Sequence, residues 1–519
     1  MKKIVLVAVA TAFACNTSQK MVLSPAAAEQ VEAGVTTYAE TITESELKDY
    51  LFTYASDEFE GRETGKAGQK KAVEYLRDQY KKLGIPAAKS DGDYFQDVPL
   101  EIAKLPSGTI TVNGKDYGIG EDFLTYSGAE GSYDHIVYAG YGIEEGDYSD
   151  YKGLDVTGKM VLVKFGEPMN EDGTFILSGN SEKSAWSNMS EAFGKRNQTA
   201  TSNGASGILY YDTANFSRFK GYYDYMKTNN AGNMGIKNDD KNSTFIIINT
   251  DMAKAIYPDI VEENTPKIQP LKISLKLISS DVDIQSENVV ALLKGSEKPD
   301  EYIIISSHLD HIGISAGGQI NNGADDDGSG TVAMLEIAEA FKLAADAGMG
   351  PKRSIVFLHV TGEEKGLLGS QYYADEDPIF PLSKTVANLN IDMIGRIDPK
   401  RNGDRNYVYL IGSDKLSTDL HELSEAVNKK YTNLELDYTY NDENDPNRFY
   451  YRSDHYNFAK NNIPIIFYFN GTHNDYHRPG DTPDKINYDL LENRARLIFH
   501  TAWEVANREQ RVIVDKTSK

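Results

Sequence analysis

The residues best able to do chemistry in this chain follow short apolar runs. After Tyr302-Ile303-Ile304-Ile305 comes His308-Leu309-Asp310-His311, and a glycine-rich loop, Gly323-Ala324-Asp325-Asp326-Asp327-Gly328-Ser329-Gly330, then opens a helical pattern. Gly362-Glu363-Glu364 follows Val356-Phe357-Leu358, Asp392 follows Leu389-Asn390-Ile391, and Asp475-Tyr476-His477 follows Ile465-Ile466-Phe467. Imidazole and carboxylate donors without thiolates suit zinc or a similar divalent ion that keeps an open coordination position. One carboxylate can bridge two such ions about 3.5–4 Å apart, and the pair then activates water and polarises a carbonyl. A further carboxylate outside the ligand set is needed to take the water's proton.

Taken singly, each of these residues has a plainer explanation. A lone His or Asp at a strand end caps or turns the chain, and adjacent glutamates are common on solvated helices. Asp325 to Glu336 even fits the spacing of an EF-hand loop. Against that, Gly313–Gly323 offers no entering helix, and Thr331–Ala345 reads as helix rather than loop. The joint occurrence after several strands sets the pattern apart.

The elements that must hold these residues alternate. Strand runs at Glu301–Ser307, Ser354–Val360, Val386–Ile391 and Pro464–Phe469 interleave with helical runs at Ser329–Ala345, Leu416–Lys430 and Tyr488–Val505. This predicts an α/β fold with a mostly parallel, mixed central sheet flanked by helices. In such sheets ligands bind outside the carboxyl ends of the strands, where these His and acid residues fall. Two amphipathic helices are expected near Ser45–Ser56 and Ala67–Leu83, with strands and turns over 94–127. Between them and the alternating region, 130–280 has short apolar runs rich in Gly and Tyr and reads as an inserted β-rich domain. The expected organisation is a signal peptide at 1–14, a tether at 15–40, a first part of the main domain at 41–129, the insertion at 130–280 and the main part at 281–510.

Composition bounds the partners. The 519 residues carry 54 Lys+Arg against 78 Asp+Glu, a net charge of −24. That excess disfavours a broad nucleic-acid surface, which needs clustered cations. One cysteine excludes an intramolecular disulfide and a thiolate zinc cage. The start, Met1-Lys2-Lys3 followed by an apolar run to Ala14, has the shape of a secretory signal and is too short to span a bilayer. Ala12-Phe13-Ala14 fits a cleavage site, and the sole cysteine, Cys15, stands where a bacterial lipoprotein would carry its lipid. The expectation is an exported protein of the cell envelope or a secreted one, touching membrane only through a lipid on Cys15.

The motifs together resemble the co-catalytic di-zinc aminopeptidases of bacterial and vacuolar type, a group related to glutamate carboxypeptidases. The resemblance rests on Asp57–Arg62, His308-x-Asp310, Gly323–Gly330, Gly362–Glu364, Asn390–Gly395 and Asp475–Thr482. Gly140–Ile143 and Tyr151–Asp155 resemble a protease-associated domain in the insertion. The resemblance implies a zinc-exopeptidase fold and two divalent metal ions, zinc above all. It implies His308 and Asp392 on one ion, Glu364 and His477 on the other, and Asp326 bridging them. Which of the three neighbouring aspartates bridges comes from the family alone. It further implies Glu363 as general base, Asp310 as the residue orienting His308, and Tyr476 as a hydrogen-bond donor to the tetrahedral oxyanion. The implied activity is removal of N-terminal residues from peptides. Carboxypeptidases, glutaminyl cyclases and non-catalytic surface binding proteins of the same fold are the alternatives. Asp454 and His455 match a family segment without an evident role, and His473 reads as either a substrate neighbour or a loop residue.

Overall fold

The computed structural model describes residues 34–229, 232–237 and 244–517. The expected signal peptide, Cys15 and most of the tether lie outside the described residues. Among the described residues, no helix is long and apolar enough to cross a membrane.

Strands are numbered along the chain. The larger sheet has nine, in the order β10 (Asn233–Ile236), β1 (Phe95–Ala103), β13 (Val282–Leu293), β15 (Arg353–Val360), β14 (Lys298–His308), β16 (Thr385–Ile391), β19 (Ile465–Phe469), β17 (Tyr407–Ile411) and β18 (Glu435–Asp437). Its centre, β15-β14-β16-β19, is parallel, whereas β10, β1 and β13 on one side and the β17–β19 pairing on the other are antiparallel. The central strands are buried on both faces, which explains their unbroken apolar sequences. Their register is level at the carboxyl end: His308 pairs with Val360, Ser306 with Asn390, and Asn390 with Phe467. The chemistry-bearing residues therefore leave the sheet along one edge.

Period-two alternation divides the core. Ile303, Ile305, Leu389 and Ile466 pack under the helices Glu44–Tyr54, Ala67–Leu83, Gly330–Asp346 and Tyr488–Asn507, while Ile304, Val356, Leu358 and Ile465 pack on the other face with Tyr373 and Phe458. Each such burial is worth about 1.5–3 kcal/mol. The helix Ala67–Leu83 buries Ala72, Val73, Leu76 and Tyr80 at three- and four-residue spacing and stops at Gly84, whose φ of 71° closes the end.

A second sheet of eight strands runs β3 (Lys115–Gly118), β2 (Ser107–Val112), β12 (Lys267–Ile278), β5 (Ala129–Tyr138), β8 (Met160–Lys164), β9 (Gly207–Tyr211), β11 (Thr244–Ile248) and β4 (Phe123–Leu124). A two-stranded ribbon, β6 (Glu144–Glu145) with β7 (Tyr148–Ser149), lies beside it in sequence. The sheet buries a cluster on each face. It starts earlier than the expected boundary at 130, because β2 pairs with β12 from Val112–Ile273 to Ser107–Ile278. Ile110 and Val112 thereby enter the same core as Ile273 and Leu275. A pairing over so long a sequence separation leaves no local periodicity. In the other direction, β10 leaves the inserted segment and joins β1.

Candidate metal centre

His308 is the last residue of β14 and is fully buried. Its Nδ1 lies 3.0 Å from the carbonyl oxygen of Asp310. A carbonyl can only accept, so Nδ1 carries the proton and Nε2 presents its lone pair. That Nε2 faces Asp326 Oδ1 at 3.2 Å, Asp392 Oδ1 at 3.7 Å and Glu363 Oε2 at 4.0 Å. Asp310 thus reaches the ring through its backbone. Its carboxylate, 3.9 Å from Nδ1, instead accepts from the Thr64 hydroxyl at 2.8 Å and the Glu363 N–H at 3.2 Å.

The other oxygen of Asp326 looks the opposite way. Oδ2 is 3.1 Å from His477 Nε2, and the same nitrogen is 3.1 Å from Glu364 Oε2. His477 sits at φ 55°, a left-handed conformation that His adopts more readily than most residues. One carboxylate therefore lies between two imidazoles delivered by β14 and by the loop after β19.

Geometry separates the three neighbouring aspartates that spacing could not. Asp327 uses its oxygens on the backbone N–H groups of His308, Gly330 and Met393. Asp325 accepts from Gly395 N–H at 2.7 Å and Ser329 at 3.0 Å, and its second oxygen is 3.2 Å from His473 Nε2. Asp326 alone of the three turns both oxygens to the histidines above. Its backbone N–H and that of Asp325 are held by Asp481 Oδ2, so the loop is pinned from behind. The helix Gly330–Asp346 begins directly after this turn, which leaves no EF-hand loop.

Several residues without a sequence-derived role find one here. Ser453 donates to Asp392 Oδ2 at 2.7 Å and receives from Asn390, fixing that carboxylate. Asp454 is buried, accepts from Ser370 at 2.5 Å, and is pushed up to about 7 by burial. His455 is a core residue whose Nε2 lies 2.8 Å from the Tyr450 carbonyl. His473 is buried beside Asp325 rather than facing a ligand space. His311 closes the His308–His311 motif and is fully buried. Its Nδ1 lies 2.8 Å from Glu364 Oε1.

Glu363 follows Gly362, whose φ of 67° turns the chain sharply after β15. Burial, then the charges of Glu364, Asp392 and Asp454, push its carboxyl well above the usual range, against the pull of His308. Glu363, Asp326, Asp392 and Tyr476 line one cavity whose remaining wall is Met393, Phe449, Arg452, Phe467, Phe469 and Thr472. The Tyr476 ring stacks on His477 at 3.9 Å between centroids. A larger cavity of about 840 Å³, around Asp414, Tyr440 and Lys460, contains no histidine.

The residues fit a pair of divalent cations. His308 Nε2, Asp326 Oδ2 and Glu364 Oε1 are buried and make no hydrogen bond, a costly state unless a cation takes their lone pairs. Burial opposes protonation of His308 and His477, yet the surrounding carboxylates raise both, His477 to about 10, so the pocket calls for positive charge. Two His/carboxylate clusters meeting at Asp326, at the carboxyl end of the parallel strands, suit two divalent ions. Residues 288–502 match peptidase family M28. The chain is 25% identical over 493 residues to a probable leucine aminopeptidase 2 of Aspergillus oryzae, covering 89% of this chain and 82% of that protein. It is 33% identical over 123 residues to a probable glutamate carboxypeptidase of Arabidopsis thaliana, a segment spanning 24% of this chain and only 17% of that protein's length. Among solved structures, an aminopeptidase from Aneurinibacillus sp. strain AM-1 aligns with a TM-score of 0.46 and 19% identity, covering 93% of this chain and 100% of the other.

Proposed function

We propose that the chain is an exported zinc aminopeptidase that hydrolyses the first peptide bond of peptides with a free N-terminus. The observation that carries this reading is the Asp326 carboxylate, with one oxygen 3.2 Å from His308 and the other 3.1 Å from His477. His308, Asp326 and Asp392 would hold one zinc, and Asp326, Glu364 and His477 the other. Bound there, the two ions would supply an acidified water and a polarised scissile carbonyl. Glu363, at the cavity wall and with a raised pKa, accepts the water's proton and returns it to the leaving amine. Tyr476 faces the same cavity, where its hydroxyl can donate to the developing oxyanion. Asp310 and Ser453 keep Glu363 and Asp392 in place. The aromatic wall of Phe449, Phe467 and Phe469 would take an apolar first side chain.

A second reading, a carboxypeptidase, is favoured by Arg452, which lines the cavity and could receive a C-terminal carboxylate. A panel of one peptide with free, N-acetylated and C-amidated ends separates the two. The aminopeptidase reading expects loss of turnover on acetylation and little change on amidation; the reverse pattern would sink it. Export and lipidation rest on Met1–Cys15, and a mass spectrum of the mature N-terminus lacking an acyl chain would end the lipoprotein part.

A further inference from the structure

His311 is fully buried and placed by more than its own packing. Its backbone N–H donates to the Arg62 carbonyl at 3.2 Å. The buried Arg62 guanidinium donates in turn to the carbonyls of Leu309, Asn322 and Gly323, tying the segment after β14 to the acidic loop. The imidazole occupies the space a side chain at 323 would need: a Cβ there would fall 2.6 Å from both Cγ and Cδ2 of His311. The ring is thus held on both sides, with Nδ1 directed at the Asp326/Glu364 carboxylates.

Its contacts do not look like a hydrogen bond. His311 Nδ1 and Glu364 Oε1 are 2.8 Å apart, yet neither atom makes one. An N–H donating to a carboxylate would point at the oxygen. Nε2 of the ring is unpartnered too, so a neutral His311 can present its lone pair at Nδ1, and two buried atoms this close are tolerable when their lone pairs converge on a third body between them. Asp326 Oδ2 is 3.8 Å from the same Nδ1, and His477 Nε2 is 3.1 Å from both Asp326 Oδ2 and Glu364 Oε2. Donors around a tetrahedral zinc with bonds of about 2.0–2.1 Å stand roughly 3.4 Å apart. The separations here, 2.8 to 3.8 Å, bracket that value.

Building on the two-metal reading above, we propose that His311 Nδ1 is a fourth protein ligand of the zinc held by Asp326, Glu364 and His477. The two centres are then unequal. One has three protein donors, His308, Asp326 and Asp392, and keeps a position open for water or a carbonyl. The other has four and is closed by protein, the arrangement that retains an ion.

X-ray absorption on the zinc-loaded full chain tests this, since imidazole scattering counts histidines on the metal. The expected wild-type signal is three imidazoles shared by two zinc ions, falling to two in His311→Asn with zinc kept in excess. Chelator competition should show one of the two ions released at least tenfold more readily in that variant. A wild-type count of two imidazoles on two ions would overturn the inference while leaving the two-metal reading intact, and it does not depend on how the variant folds. A wild-type chain holding fewer than two ions would overturn both.

Discussion

The inserted unit and the carboxyl edge of the larger sheet treat buried charge in opposite ways. In the inserted unit, Arg196, on the helix Met189–Ser202, is fully buried and donates to the carbonyls of Tyr141, Trp186, Ala192 and Gly166. Lys164 donates to the carbonyls of Ile260, Val261 and Glu263, and Glu167 accepts from Ser184 and Ser187. Those charges are used up by the fold. At the carboxyl edge of the larger sheet, His308, His311, Asp326 and Glu364 keep buried atoms without partners, all aimed at one small volume. Burial of a charged group is therefore no sign of function by itself. Burial with convergent, unspent lone pairs of several residues is, because a bound cation can take them all.

The largest effect should come from the residue that both centres share. Asp326→Ala is expected to reduce bound zinc from two ions per chain to less than one and to abolish turnover, measured by elemental analysis and peptide hydrolysis. Two retained ions would refute the bridge. Glu363→Gln should keep both ions and lower kcat by about 10²–10⁴. Near-native turnover with full metal would remove Glu363 from its role, and loss of metal would move it into the ligand set.

Much of this contrast was legible in the sequence on one side only. Strands β14, β15, β16 and β19 announce themselves as apolar runs, and the His and acid residues stand out because they recur at or after all four strand ends. What spacing cannot supply is orientation. Asp325, Asp326 and Asp327 are equivalent in sequence, and only the distribution of backbone N–H groups from Gly395, Met393 and Gly330 decides which remains free. His311 was hidden for a similar reason, since its placement depends on Arg62, far away in the chain. The early start of the inserted sheet depends on the β2–β12 pairing, which has no local signature.

The inserted sheet supplies the converse test. Arg196→Ala would remove the side-chain donor from the carbonyls of Tyr141, Trp186, Ala192 and Gly166 and should destabilise that unit by about 2–4 kcal/mol. Hydrogen exchange should quicken in β8 and β9 while zinc content stays at the wild-type value. Concerted loss of zinc would show that the two units do not separate as their buried charges suggest.

The smallest effect concerns a buried acid that belongs to neither pattern. Glu336, on the helix Gly330–Asp346, faces Glu46, Glu339 and Glu492; one oxygen accepts from Thr43 N–H at 3.3 Å and the other has no partner. Burial, then the Glu46 charge, pushes its carboxyl up to about 8. Between the usual carboxylate range and that value the folded chain holds a proton that the unfolded chain has released. Stability from this group is therefore complete at low pH and is lost as pH rises through about 8. Glu336→Gln keeps an acceptor for Thr43 and removes the titration. Relaxation around the site should leave a gain of about 1–2 kcal/mol at pH 8 and none at pH 4.5. A denaturation series across that range checks it. A variant that gains equally at both pH values would owe its stability to packing, and the Glu336 carboxyl would then titrate alike in the folded and the unfolded chain.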